Sequence, residues 1–303
     1  NPGLTSISMP NWIILFIIGQ IWIVYTYASL AKLYPDWLDG TFPELLMKGK
    51  AHYWLIGDIL QEPWVHTSIC YFGILFDLLV VPLLLWKPTR KAMFIASIFF
   101  HLFNSIVFQI GIFPYMSLAF TVFFFPKEYI NRKFVNFKPF YKKAEVKFPS
   151  WAPQLKTFFI IWFTIQLILP VRHHLIEGNV FWTEEGHKMS WRMMLRAKGG
   201  YASFKIKNLN TGKTESVDLE KYLTTKQRRN LLKPDGVWQF TQKLKKEYTE
   251  KEIPIEIYAR VKVSLNGRKP AFLVDPKLDL TNINFDYFGH NEWIEPKPES
   301  IDF

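Results

Sequence analysis

Cysteine is almost missing from this chain: Cys70 is the only one in 303 residues. No intramolecular disulfide can form, so a domain exposed to an oxidising compartment must be held by its own core. Also missing are zinc-finger spacings, a nucleotide-binding glycine loop, a Ser–His–Asp order, paired catalytic carboxylates, repeats and low-complexity tracts. His173, His174 and His187 with Glu177 and Glu185 match no standard ligand spacing, and no metal is expected. Acidic residues are few, 26 against 37 lysines and arginines, which leaves a net charge of +11. Two loops account for most of that surplus, no arginine-rich reading helix is visible, and nucleic acid is not an expected partner. No basic n-region precedes a short apolar run and cleavage site, so no signal peptide is visible.

What is abundant is apolar surface. Hydrophobic residues make up 49% of the chain and aromatics 17%, too oily for an ordinary soluble domain of this length. The excess is concentrated in runs at 11–33, 65–86, 92–112 and 155–171, with a shorter one at 114–125. Runs of about 20 residues match the hydrocarbon core of a bilayer. The expected fold is an α-helical multi-pass membrane domain of about five apolar segments, residues 1–171, followed by an extracytoplasmic α+β domain, largely β, over 172–303. In the second domain YASFKIKN and IEIYARVKV alternate as strands do, with a turn at Asn210–Lys213. Asn266-Gly267 signals a hairpin before the strand AFLV, and helices are expected near 219–232 and 235–248, the latter with Asp235 as N-cap.

Orientation follows from lysine and arginine, which accumulate in cytoplasmic loops. KPTRK (87–91) and the loop from Lys127 to Lys156 are strongly basic and are placed inside. The loop 33–64 holds Asp36, Asp39, Glu44, Asp58 and Glu62 against Lys48 and Lys50, which places it outside. A hairpin turning near Gly111–Pro114 goes out and back, the segment 155–171 exits, and the C-terminal domain faces a periplasm or lumen.

Polar residues inside the apolar runs are the strongest functional signals, because each costs a few kcal/mol there. Tyr25 and Lys32, seven apart, share a face of the first helix. His101 and Asn104, in FFHLFNSIVFQIG, share a face of a later one, and Asp77 lies within YFGILFDLLVV. Position alone leaves alternatives open. A terminal lysine can snorkel to the headgroups, and an intramembrane aspartate or histidine can bond a neighbouring helix without chemistry.

The segments GQIWIVYTYASLAKLYPDWLDG, FFHLFNSIVFQIGIFPYMSLAF and LPVRHHLIEGNVFWTEEGHKMSWRMML, in that order, resemble the vitamin K-dependent gamma-glutamyl carboxylase family, and within it the bacterial group built on the horizontally transferred transmembrane domain. The likeness continues through YLTTKQRRN to VSLNGRKPAFLVDPKLDL. The resemblance implies that Lys32 is the base that deprotonates reduced vitamin K, a hydroquinone, so that O2 adds to it and an epoxide forms. An ammonium cannot accept a proton, so such a lysine must be neutral, a form that desolvation favours. Tyr25, His101 and Asn104 are implied to line the quinol pocket. The strongly basic species formed during oxygenation would take a proton from the gamma carbon of a peptide glutamate, and CO2 would add to the carbanion. Lys48, His187, Trp191, Met193, Met194, Arg196 and Arg229 are implied to bind that substrate, arginine being suited to a carboxylate. The expected partners are the lipid bilayer, a lipid-soluble quinol and a secreted glutamate-containing peptide.

The match departs from the animal enzymes at three positions: Arg196 stands for a histidine, His187 for a tyrosine and Lys48 for an arginine. The resemblance also implies earlier helices and a further histidine ahead of residue 1. It carries quinol oxidation further than carboxylation. The alternatives are a quinol epoxidase or oxygenase that carboxylates nothing, and a noncatalytic membrane scaffold with a peptide-binding outer domain.

Overall fold

A computed structural model describes residues 11–134 and 150–298. Part of the basic loop from Lys127 to Lys156, residues 135–149, lies outside the described residues. The chain divides into two compact units: residues 1–33 with 46–168, and residues 34–45 with 169–303.

The first unit is helical. Its main elements are α1 (Asn11–Leu30), α2 (Pro63–Leu85), α3 (Arg90–Ile106), α4 (Phe113–Phe120) and α5 (Ala152–Ile168). Helices α1 and α2 are long and apolar enough to cross a membrane, as is α5 when extended to Leu175. Only 11–39% of each apolar window is buried within the protein. Leu15, Leu75 and Ile160 stand more than half exposed, a surface suited to hydrocarbon and not to water.

Among the described residues the expected five crossings are therefore three. Helix α3 has 17 residues and spans about 26 Å, short of a hydrocarbon core of about 30 Å. Gln109 and Gly111 then turn through left-handed backbone, and Pro114 opens an eight-residue α4 extended only by a short 3-10 turn. Counting that hairpin as no crossing removes two spans together, so the side reached by the C-terminal domain is unchanged.

Helices α1 and α2 pack closely. Phe76, Val80, Val81 and Leu84 form the buried side of α2, joined by Ile18 and Tyr25 of α1 and by Met93. Ser29 Oγ donates to the Ile74 carbonyl at 2.9 Å. Between α1 and α5, Gln20 donates to Gln166 at 3.1 Å and accepts from the Trp162 indole at 2.8 Å. Gly19 permits this approach, since a Cβ there would lie 2.9 Å from the Phe163 ring.

The second unit is mixed α+β, which corrects the expectation of a largely β domain. It holds one four-stranded antiparallel sheet in the order β2-β1-β3-β4, made of β1 (Lys198–Asn208), β2 (Thr214–Ser216), β3 (Ile255–Leu265) and β4 (Ala271–Phe272). Beyond Phe272 the described chain forms no strand, because turns at Asp275 and Asp286 keep interrupting it. Between β2 and β3 lie short helices at Leu219–Tyr222 and Thr225–Arg228, and the 17-residue α6 (Pro234–Glu250). Phe204 and Ile206 of β1 and Ile257, Ala259 and Val261 of β3 form the buried sheet face, and Phe204 packs edge-on against Phe240 of α6 at 4.8 Å. Lys233, not Asp235, precedes α6 as its cap residue, with Pro234 at the first position, and Asp235 instead accepts from Lys188 at 2.6 Å. Asn266 and Gly267 both adopt left-handed backbone, as a tight turn before β4 requires.

Candidate functional site

In the first unit the seven-residue spacing of Tyr25 and Lys32 aims both side chains at α2. Lys32 Nζ donates to Asp77 Oδ2 at 2.5 Å and to the Ala28 carbonyl at 3.1 Å. Both side chains are nearly buried, 12% and 7% exposed. About two turns before Lys32, the Tyr25 hydroxyl lies 2.8 Å from His101 Nε2 on α3. Phe76, next to Asp77, packs against Tyr25, His101 and Phe100, stacking on the last at 3.7 Å.

His101 Nδ1 is buried and has no hydrogen-bond partner among the described residues. Whichever tautomer His101 adopts, it leaves one polar atom unsatisfied in an aromatic enclosure, an expensive vacancy unless a ligand supplies the partner. Asn104 is half-buried one turn along α3 and makes no side-chain hydrogen bond among the described residues. Lys48 ends the helix Thr41–Lys48 on an exposed position.

Asp77 is the member that the sequence reading left out of the site. Its signal was present, a carboxylate in mid-span, and a buried lysine is what such a carboxylate needs.

The second unit builds a different cluster. Asn179 caps the short helix Val180–Thr183 through its side chain, and Glu184 ends that helix in left-handed backbone. Arg196 grips Glu184 with two bonds, Nε to Oε1 at 2.6 Å and a second from Nη2 to Oε2. Lys198 Nζ lies 3.0 Å from Glu184 Oε1 and also donates to the Trp182 carbonyl. His187 Nε2 is 4.0 Å from Glu184 Oε2.

Burial alone would raise the Glu184 carboxyl, but Lys198, Arg196 and His187 outweigh it and hold it at about 2. Burial, reinforced by Arg196, pushes His187 down to about 4. Burial likewise brings Lys198 down to about 8, against the pull of Glu184. Glu184 was not picked out from the sequence, where nothing distinguishes it from its neighbour Glu185. The latter accepts from the Asn291 amide and side chain, both at 2.7 Å, and from His290 at 2.9 Å.

Backbone strain concentrates here too. Glu184, Met189, Trp191 and Met194 are non-glycine residues with positive φ, interleaved with Gly186. Gly186 has no alternative, since a Cβ would sit 2.6 Å from that of His173. Left-handed backbone on bulky side chains persists only where its surroundings enforce it, and such strain gathers at functional sites. His187 Nε2, Trp191 Nε1 and Arg192 Nε are buried without partners among the described residues. The stretch 184–196 thus brings His187 and Arg196 together around Glu184 and places the half-buried Trp191 and Met193 and the more exposed Met194 along the same strained run. Arg229 stands exposed at the start of the 3-10 turn Arg229–Leu232 and takes no part in the cluster.

The first loop also belongs to this unit. Arg268 binds both oxygens of the fully buried Asp36, and Asn266 Nδ2 donates to it at 2.7 Å. Asn266 in turn exchanges bonds with Ala197, and the Tyr34 hydroxyl donates to the Leu195 carbonyl.

Three candidate spanning helices among the described residues, with an α+β domain after them, define a polytopic membrane protein. Residues 1–129 match the model of the HTTM domain, and residues 152–300 match that of the vitamin K-dependent gamma-carboxylase lumenal domain. Together the two matches support homology to the vitamin K-dependent gamma-carboxylase family. The chain is an integral multi-pass membrane protein whose C-terminal domain lies on the extracytoplasmic side. No solved structure matches it.

Proposed function

We propose that this protein oxygenates reduced vitamin K, with Lys32 and Asp77 as the proton-accepting pair, and that residues 1–171 serve the quinol while 172–303 serve a secreted peptide. The observation that carries the reading is the 2.5 Å contact between Lys32 and Asp77 at the end of a spanning helix. Tyr25, Phe76 and Phe100 offer flat apolar faces to an aromatic ring, and the unsatisfied His101 nitrogen offers a partner for one of its hydroxyls. Asn104, on the same face of α3 as His101, would position that ring. When bound, the quinol reacting with O2 supplies the strong base that glutamate deprotonation needs before CO2 is taken up. The protein's part is to accept the hydroxyl proton at Lys32–Asp77 and to exclude water.

For the carboxylation step, His187, Trp191, Met193, Met194 and Arg196 would hold the glutamate, with Arg229 and Lys48 as outlying cations. One observation favours the second reading, oxygenation without carboxylation: Arg196 is already engaged by Glu184 on both sides of its fork.

The test is epoxide formation from reduced vitamin K by the full-length protein in nanodiscs, with labelled CO2 and a glutamate peptide present. Lys32→Ala should lower epoxide formation by about a thousandfold, within the range for loss of a general base, while the protein stays folded. Equal turnover in both forms would remove Lys32 from the chemistry and favour a scaffold. Label in the peptide separates the carboxylase from the oxygenase.

A further inference from the structure

The loop that leads into α2 carries more apolar surface than its own core uses. Met47, Leu60 and Val65 close a small core with Val107, just past the end of α3, and Tyr53 and Ile56 pack against it from the loop. The residues between them stay outside. Trp54 is 92% exposed and Leu55 73%, and Ile59 and Trp64 are exposed as well. A tight turn builds this tip: the Gly57 amide donates to the Tyr53 carbonyl at 2.6 Å, and a Cβ on Gly57 would lie 2.2 Å from the Ala51 carbonyl oxygen.

Helix α3 fixes the depth of this loop. It runs antiparallel to the spanning α2: at one end Arg90 donates to the Leu84 carbonyl at 2.8 Å, at the other Val107 meets Val65, and between them Phe100 stacks on Phe76. So aligned, its 17 residues rise about 26 Å from the basic inner loop, which leaves its end just short of the outer edge of a hydrocarbon core about 30 Å thick. The loop comes down to that end, where the Tyr53 hydroxyl donates to the Ile106 carbonyl and accepts from Gln109, both at 3.1 Å. Exposed surface at this depth faces lipid. We infer that residues 53–59 form a lip inserted in the outer leaflet, with Trp54 and Leu55 among the upper acyl chains and Tyr53 and Trp64 at headgroup level, where tyrosine and tryptophan collect. Charge does not carry the attachment, because Lys48 and Lys50 are offset by Asp58 and Glu62. A protein partner fits less well, because the loop passes directly into α2, whose exposed Tyr71 and Leu75 already face hydrocarbon. The lip goes beyond the oxygenase reading and does not depend on it.

The experiment places an environment-sensitive NBD label on the full chain in phosphatidylcholine nanodiscs, at Leu55→Cys or, for comparison, at Thr211→Cys in the exposed turn between β1 and β2. Both positions are exposed, so neither change disturbs the core. Cys70, the one cysteine of this sequence, is buried, and protein without an added cysteine gives the background. The label at 55 should emit to the blue of the label at 211. A lipid with its nitroxide near the top of the acyl chain should quench it at least about twofold more than one with the nitroxide near the chain end, as for a group about 5–10 Å into the headgroup boundary. Quenching by aqueous iodide to the same extent at 55 as at 211 overturns the proposal, since the loop then stands in water. Failure of both iodide and nitroxide lipids to reach 55 overturns it too, since a protein surface then covers the tip. No quinol or turnover enters the readout, so the fate of the oxygenase reading and the fate of this lip are decided separately.

Discussion

The two buried charge clusters of this protein are built on opposite plans. In the membrane unit Asp77 meets the Lys32 ammonium, which also donates to the Ala28 carbonyl. In the outer unit Glu184 is bonded by Arg196 and Lys198 together, with His187 nearby. A one-to-one amine–carboxylate contact can change its proton count with little rearrangement. A saturated network resists such a change, because each added proton breaks a charge-assisted bond. The first plan suits proton transfer and the second suits rigidity, although both clusters are comparably buried.

Three changes would break or sharpen that contrast. The largest effect is expected from Glu184→Ala, which leaves Arg196 and Lys198 buried without their carboxylate. Stranded charges of this kind cost about 3–5 kcal/mol, so the thermal transition of the outer unit should fall markedly. A variant that melts with the wild type would show that the network contributes nothing. Next is Asp77→Asn, which keeps a hydrogen-bond acceptor for Lys32 but cannot take a proton. Epoxide formation should drop by about a hundredfold in a protein that stays folded, and unchanged turnover would return Asp77 to a purely structural part.

The smallest effect is a pH dependence. His187 takes a proton at about 4 in the fold against an ordinary 6.5, so as pH falls through 6.5 the unfolded chain is protonated first. Stability should therefore decline from pH 6.5 to 4, by up to about 3 kcal/mol, and His187→Gln should flatten that decline. Glu184, held at about 2 against an ordinary 4.5, adds its own loss only below pH 4.5. A wild type equally stable at pH 7 and pH 4.5 would remove His187 from the balance.

Much of the membrane site could be read from the sequence because helices repeat. Seven residues are close to two turns, so Tyr25 and Lys32 had to share a face. The partner across the gap was harder, since periodicity says which side of α2 carries Asp77 but not which helix it meets. The length of α3 was misjudged for a related reason: hydropathy runs on through 107–112, but the left-handed turn at Gln109 ends the helix earlier. In the outer unit the long strands β1 and β3 were legible by alternation, and the loops were not. Asp36 meets Arg268 across 232 positions, and no local pattern marks such a pair. The left-handed backbone at Met189, Trp191 and Met194 was invisible, because these residues ordinarily avoid it.

The grip of Arg196 on Glu184 has a consequence for any carboxylate arriving there. A bare guanidinium would attract a guest with its full strength, but an engaged one offers only the difference between guest and resident. Recognition at that position is then an exchange, with an affinity set by how well the visitor outcompetes a side chain that never diffuses away. Such a site would hold its cargo briefly and release it without help.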